Sequence, residues 1–478
     1  MLFNSLSFLI FIFVFFLLYF LMRGKLRLWI SLISSYFFYG WWDYRFLVLI
    51  IIITLLNFYC GLNISTQANK KKNRLLLLIS IISNLFILFI FKYYNFFTDN
   101  FISILSILGY ENNFNTLKII LPIGISFYTF QAMSYTIDVY RKNIDPEKSL
   151  LNFATFVAFF PQLVAGPIVR ASCLIPQLKK DRSIVTENIL YGIHLIIWGY
   201  FLKIVIADSL SLVVDVCYNN PISLNPFSIF IGVIFYAFQI YGDFAGYSLI
   251  AIGISRVLGY KFPVNFNRPY FSRSISEFWQ KWHISLSTWF RDYVYISLGG
   301  NRAGKLKMYR NLFITMVIGG LWHGANWNFV IWGTIHGSLL IIDRLSMELI
   351  GKRLKFDSHN IILKNIIKIG NILFTFSLTC LAWIFFRSNN FSDSIYIIEK
   401  LFQFNEYNFS DVIHKFHVTK GIILISFLII TESISFNFDM IKFNKNHPYY
   451  SLLWSASILV LISLFGTFGN SAFIYFQF

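Results

Sequence analysis

Two histidines stand where a proton could be moved out of reach of bulk water. His323 lies in GGLWHGANW (319–327) and His283 in FWQKWHISLSTWFRD (278–292), each among tryptophans. Burial penalises the charged form of an imidazole and keeps the ring neutral. A neutral imidazole can take a proton from a hydroxyl and hand it on, which is general acid–base chemistry. A histidine so placed can also simply bond a backbone carbonyl and pack two helices. Asp243, in YGDFAGYS, is a third ionisable group inside an apolar run. It needs a partner at depth; it can order a helix break or bond a histidine, and a structural role is the expected one. Cys60, Cys173, Cys217 and Cys380 are scattered and form no CxxC pair, so neither a disulfide framework nor a metal site is indicated. The chain has no HExxH, GxxxxGK[ST] or GxSxG, which sets aside zinc proteases, P-loop enzymes and ordinary α/β-hydrolases.

The elements that must position these groups are membrane helices. Of 478 residues, 57% are hydrophobic, 56 are phenylalanine and only 13% are charged. A water-soluble fold cannot hide that much apolar surface, so the bilayer is the solvent. The predicted fold is all-α and polytopic, one membrane domain over 1–478 with about 11–13 transmembrane or partial segments. Runs long enough to cross fall at 5–22, 46–64, 75–97, 119–140, 150–170, 189–218, 227–252, 371–389, 421–438 and 451–475. Shorter runs fall at 28–42, 101–109, 284–299 and 311–342. The first run has no small-residue cleavage site and reads as a retained span. The net charge of +18 does not call for nucleic acid, because the cations cluster between spans, at 23–27, 70–74, 256–310 and 344–368. Such loops face the cytoplasm, which places both termini on the outer side.

His323 can now be placed. Residues 311–343 run from one basic cluster to the next, and 33 residues fall short of two full crossings and a turn. The segment therefore reads as a hairpin turning at depth between Gly319-Gly320 and Asn326, with His323 at a protein-lined cavity. His283 reads differently. Phe278, Trp282, Leu286, Trp289 and Tyr293 recur at helical spacing, with His283, Ser287 and Arg291 on a neighbouring face. Such a helix can lie at the membrane interface. Pro161, Gly166 and Pro167 in FPQLVAGPIVR mark a broken helix. Arg302, Lys305 and Lys307, beside Gly299-Gly300, could hold phosphates, although cytoplasmic placement alone accounts for them.

FPQLVAGPIVR, YGDFAGYSLIAIG, NRPYFSRSISEFWQKWHISLSTWFRDYVYISLGGNR and GGLWHGANWNFVIWGTIHG together resemble the membrane-bound O-acyltransferase (MBOAT) family. The motif-bearing core is about 160–340, and the apolar layout extends the likeness over the whole chain. One departure is Leu249, where an acidic residue is common in that family. The resemblance implies helices around a central catalytic tunnel, with His323 as the deep catalytic histidine and His283 as the second motif histidine. Trp322, Asn326, Asp243, Trp282 and His336 are then candidates to line the tunnel. The bacterial branch it resembles acylates surface glycans: alginate O-acetyltransferase-like proteins, peptidoglycan O-acetyltransferases and the D-alanyl transferases of teichoic acid.

That likeness implies a bacterial inner-membrane O-acetyltransferase with no bound cofactor. Acetyl-CoA would arrive from the cytoplasm as donor substrate, its phosphates near Arg302, Lys305 and Lys307. The acceptor would come from outside, and a separate periplasmic serine transferase of the SGNH type would complete delivery to glycan. Peptidoglycan is the expected acceptor, ahead of alginate or another exopolysaccharide. A non-catalytic glycan flippase is the alternative of another class, since it too would use broken helices and buried polar groups. The closing FIYFQF, in an outer-face tail at about 470–478, resembles a terminal motif of this branch in which a tyrosine carries the acyl group. Here that residue is Tyr475. A phenol, with a pKa of about 10, ionises more readily than a sugar hydroxyl and leaves more readily afterwards. The same stretch can serve as an interfacial aromatic anchor.

Overall fold

The computed structural model describes residues 1–64, 69–110, 117, 119–180, 185–302, 304–350, 361–408, 412–434, 448–469 and 473–474. Among them every regular element is helical and no strand occurs. Six helical runs are long and apolar enough to cross a bilayer: Gly24–Asn63, Lys70–Ile107, Thr186–Asn219, Pro226–Val257, Ile362–Arg387 and Lys415–Ile434. Leu6–Leu21 and Tyr449–Phe465 are shorter apolar helices. Their outward residues are apolar, with Leu6 73% and Phe13 71% exposed, as on a surface wetted by lipid.

Some predicted spans merge and one dissolves. The runs at 28–42 and 46–64 join into one 40-residue helical run, Gly24–Asn63, because a single 3₁₀ turn at Tyr44–Phe46 carries the chain across. The run at 150–170 is not a span. It gives a helix at Leu150–Ala158, one turn at Phe160–Leu163, then a further turn and irregular chain, at the two prolines and Gly166.

The chain packs as two compact units. One comprises Met1–Ile196 and Ile250–Pro263, and the other Ile197–Leu249 and Val264–Ile474. In the first, Asn57 Oδ1 accepts from Ser80, Asn84 and Thr136 at 2.8, 3.1 and 3.0 Å, tying three apolar helices by a satisfied polar network. The second unit carries both motif histidines. Its site elements are α1 (Thr186–Asn219, from Ile197 onward), α2 (Pro226–Val257, up to Leu249), α3 (Ile275–Lys281), α4 (Ile284–Phe290), α5 (Lys305–His323), α6 (Trp327–Ile350) and α7 (Ile361–Arg387).

Helices α5 and α6 form the predicted hairpin, with two differences. The turn is Gly324–Asn326, so Gly319 and Gly320 stay helical. Their value is closeness rather than bending. A Cβ on Gly320 would stand 2.1 Å from Phe329 O, and one on Gly333 would stand 2.5 Å from Met316 O. The legs are also longer than 311–343 allows, because helix continues through the basic residues at both ends. His323 lies 13 residues beyond Arg310 on α5, about 20 Å along the axis.

Candidate active site

His323 closes α5 and is 4% exposed. Three rings surround its imidazole edge-on, with centroids at 5.0 Å for Trp322, 5.0 Å for Trp332 and 5.1 Å for Phe386. The backbone leaves the helix immediately after it, through Gly324 in extended conformation. A Cβ on Gly324 would strike the Phe329 ring at 2.2 Å, so only glycine lets the turn close beneath the histidine. The cage holds an imidazole in a low-dielectric pocket and fixes its plane, two requirements of a base that must be neutral and aimed.

His283 sits at a break that periodicity did not show. The expected continuous amphipathic helix divides into α3 and α4, and His283 takes φ +42° and ψ +54° between them. This left-handed conformation is uncommon for a residue with a Cβ and persists only where the surroundings enforce it. Trp282, Leu286, Trp289 and Tyr293 are buried, so the aromatic stripe packs inward rather than floating at an interface. The enforcing residue is Asn265, which the sequence reading missed. Its Oδ1 accepts from Ser285 N (3.2 Å) and Ser285 Oγ (2.9 Å) and faces His283 Nδ1 at 3.1 Å. Its Nδ2 donates to Ser248 Oγ at 3.0 Å. An atom that accepts a backbone N–H is the oxygen, so His283 Nδ1 must donate, and in the neutral ring Nε2 carries the lone pair.

His336 holds the opposite tautomer. Trp279 Nε1 donates to its Nδ1 at 3.3 Å, which puts the proton on Nε2. Both His283 and His336 are fully buried. His336 stacks over Phe278 and lies 4.8 Å from the Trp332 ring, whose other neighbour is His323. The Trp322 ring in turn neighbours both His323 and His283. Thus Trp322 and Trp332 are shared walls that bring the three imidazoles into one aromatic cluster, and Trp282 joins it through Trp383 at 5.0 Å. The arrangement offers a ring nitrogen that can accept and another that can donate, inside one dry wall.

Other candidates fall elsewhere. Asn326 is exposed and caps α6, accepting from Asn328 N at 2.9 Å. Arg302, Lys305 and Lys307 are exposed at the far end of α5 from His323, about 27 Å from Lys305 to His323 along the axis. Lys305 is paired with Glu348 at 2.6 Å. Asp243 neither breaks its helix nor bonds a histidine. Helix α2 runs through it unbroken, and its partner is Lys203 at 2.6 Å. Lys203 was legible as a lone cation in the run 189–218, which is the signal intramembrane charges give. Tyr475 lies outside the described residues, while Phe473 and Ile474 just before it are buried.

Replacing Asn265 with alanine leaves Ser285 N and His283 Nδ1 without their acceptor. Each orphaned buried group costs about 1–3 kcal/mol. We expect a lowered melting temperature in purified protein and, per molecule still folded, about a hundredfold drop in acyl transfer, the low side of what a positioned base contributes.

Comparison with known proteins gives this cluster a setting. The family model of membrane-bound O-acyltransferases matches residues 144–386, which contain all three histidines. A probable alginate O-acetylase of Pseudomonas syringae pv. tomato is 41% identical over 398 residues, 83% of this chain and 74% of that protein. The peptidoglycan O-acetyltransferase of Helicobacter pylori is 37% identical over 406 residues, 79% of this chain and 74% of that one. The teichoic acid D-alanyltransferase of Bacillus subtilis is 29% identical over 232 residues, 46% of this chain. A multi-pass chain with a caged histidine at the end of a glycine-packed hairpin, matched over half its length by the family and at this identity by its members, is an acyltransferase and belongs to the membrane-bound O-acyltransferase family.

Proposed function

We propose that this enzyme O-acetylates a bacterial surface glycan, drawing acetyl from acetyl-CoA on the cytoplasmic side of the inner membrane. The observation that supports this reading most is His323, buried and held by three rings at the hairpin tip. In the proposed step His323 removes the proton of an acceptor hydroxyl as its oxygen attacks the thioester carbonyl. The oxygen–acyl bond forms, the carbon–sulfur bond breaks, and the proton passes to the departing thiolate. His283, its Nε2 lone pair fixed by Asn265, supports the same transfer. The coenzyme phosphates stay near the exposed Arg302 and Lys307, and compete with Glu348 for Lys305.

In this reading both termini face the periplasm, and Tyr475 is the first acceptor. A separate serine transferase then takes the acetyl group to glycan. Peptidoglycan is the acceptor we favour, on the FIYFQF ending and the match to the Helicobacter enzyme. Alginate or a similar exopolysaccharide is the second reading, favoured by the 37–41% identity to five probable alginate O-acetylases. Family membership leaves the flippase without support, and the D-alanyltransferases match less than half of the chain.

Acetate released by mild base from purified peptidoglycan tests the acceptor. We expect a deletion strain to lose it and a plasmid copy to restore it. Unchanged peptidoglycan acetate, with loss from secreted polysaccharide instead, transfers the assignment to the second reading.

A further inference from the structure

The tail folds back onto a charge cluster that the acyl-transfer step does not use. Lys203 is 1% exposed within a π-helical stretch of α1, Phe201–Ala207. Its ammonium bridges Asp208 Oδ1 at 2.8 Å and Asp243 Oδ1 at 2.6 Å. Gly242 and Gly246 flank Asp243 and let α2 approach: a Cβ on Gly246 would meet Gly199 O at 2.7 Å, and one on Gly242 would meet Leu202 O at 2.9 Å. With both carboxylates ionised the cluster carries one excess negative charge in a dry place, where further donors must solvate it.

The tail brings that solvation. Ile474 N donates to Asp243 Oδ2 at 2.7 Å, and the Phe473 ring lies 4.5 Å from Lys203 Nζ while standing edge-on to Tyr247. A second attachment lies seven residues earlier, where Thr467 N donates to Ile204 O at 3.1 Å and Thr467 Oγ1 meets Ser209 Oγ at 3.0 Å. Both attachments use the π stretch or the residues just after it. A stretch of chain beyond the last apolar helix is thus held by its backbone, at the one buried cation of this stretch.

We propose that Lys203, Asp208 and Asp243 are positioning residues: a docking site for residues 473–474 that sets where the next residue, Tyr475, is presented for acylation. The inference rests on the reading of Tyr475 as acyl carrier. A carrier must return to one point in every cycle, and a tail held only by interfacial aromatic rings has no fixed depth. A backbone hydrogen bond to a buried carboxylate one residue before the carrier supplies one. The bond forms to the main chain, so it holds the segment without restricting the tyrosine side chain.

Two measurements on the full-length protein in lipid nanodiscs separate docking from carriage. The first is hydrogen exchange of the Ile474 amide, expected to be protected in the native protein and at least tenfold faster in Asp243→Asn. The second is base-released glycan acetate per folded enzyme in cells carrying Ile474→Pro. That change removes the N–H that Asp243 accepts together with the buried isoleucine side chain, and Ile474→Ala, which removes the side chain and keeps the N–H, is its control. We expect near-native transfer by Ile474→Ala and roughly a hundredfold loss by Ile474→Pro, the effect of displacing a reacting group by about 1 Å. An unprotected Ile474 amide in the native protein overturns the docking site, as does full transfer by Ile474→Pro. Tyr475→Phe reports on the other reading. Lost transfer with a protected Ile474 amide supports both ideas, whereas retained transfer with protection removes the carrier and leaves a docking site without the role proposed.

Discussion

Replacing His323 with glutamine abolishes ester-linked acetate while the protein stays in the membrane at normal abundance. Glutamine is close to histidine in reach and keeps a hydrogen-bonding terminus, so the ring cage loses contact area but gains no charge. What disappears is the nitrogen proposed to take the proton. A positioned general base contributes about 10²- to 10⁴-fold. A base this buried should lie at the upper end, a loss of about a thousandfold or more. The comparison that matters is with His336→Gln, which removes a donor rather than the proposed base. We expect that variant to retain measurable transfer. Equal transfer by native enzyme and His323→Gln, at equal abundance, would reduce His323 to a packing residue.

The second large effect is structural. Gly320→Ala should lower the melting temperature sharply, although it adds one methyl group. That methyl would stand 2.1 Å from the Phe329 carbonyl oxygen, which is backbone and cannot rotate away. The two legs of the hairpin would have to part, opening the Trp322–His323–Trp332 cage at their joined end. Overpacking of this kind costs about 1–3 kcal/mol and sometimes more, a large share of an ordinary stability margin. Gly370→Ala, on α7, is the control, because no atom lies within 4 Å of its added methyl. Helix propensity alone should leave it neutral or up to about 1 kcal/mol more stable. Melting curves of the two purified variants decide this. If they coincide, the close approach at Gly320 is not limiting.

Much of this arrangement was legible from residue types. The basic clusters on either side of 311–343 give the hairpin, and the apolar lengths give a membrane protein. What escaped did so for identifiable reasons. The break at Trp282–His283 carries no glycine or proline, since a histidine bound to Asn265 adopts the left-handed backbone instead. Gly319-Gly320 read as a turn because glycine marks turns and close helix packing alike. Asn265 is distant in sequence from the histidine it orients and sits in no regular element, so no periodicity points to it. Asp243 was legible as a buried charge. Its partner Lys203, 40 residues earlier, could be matched to it only in three dimensions.

The π stretch at Phe201–Ala207 has a consequence for inheritance. A π turn holds one residue more than the α turn it replaces, so it is where a helix tolerates a gained residue. Losing one of residues 204–207 would restore regular α winding and leave the helix beyond close to its present facing, because a π turn takes in its extra residue locally. Lys203 and Asp208, five residues apart across the π stretch, would then stand four apart on an α-helix, still neighbours on one face. Homologues one residue shorter at this point should therefore keep the whole set, cation, both acids and tail attachment, together.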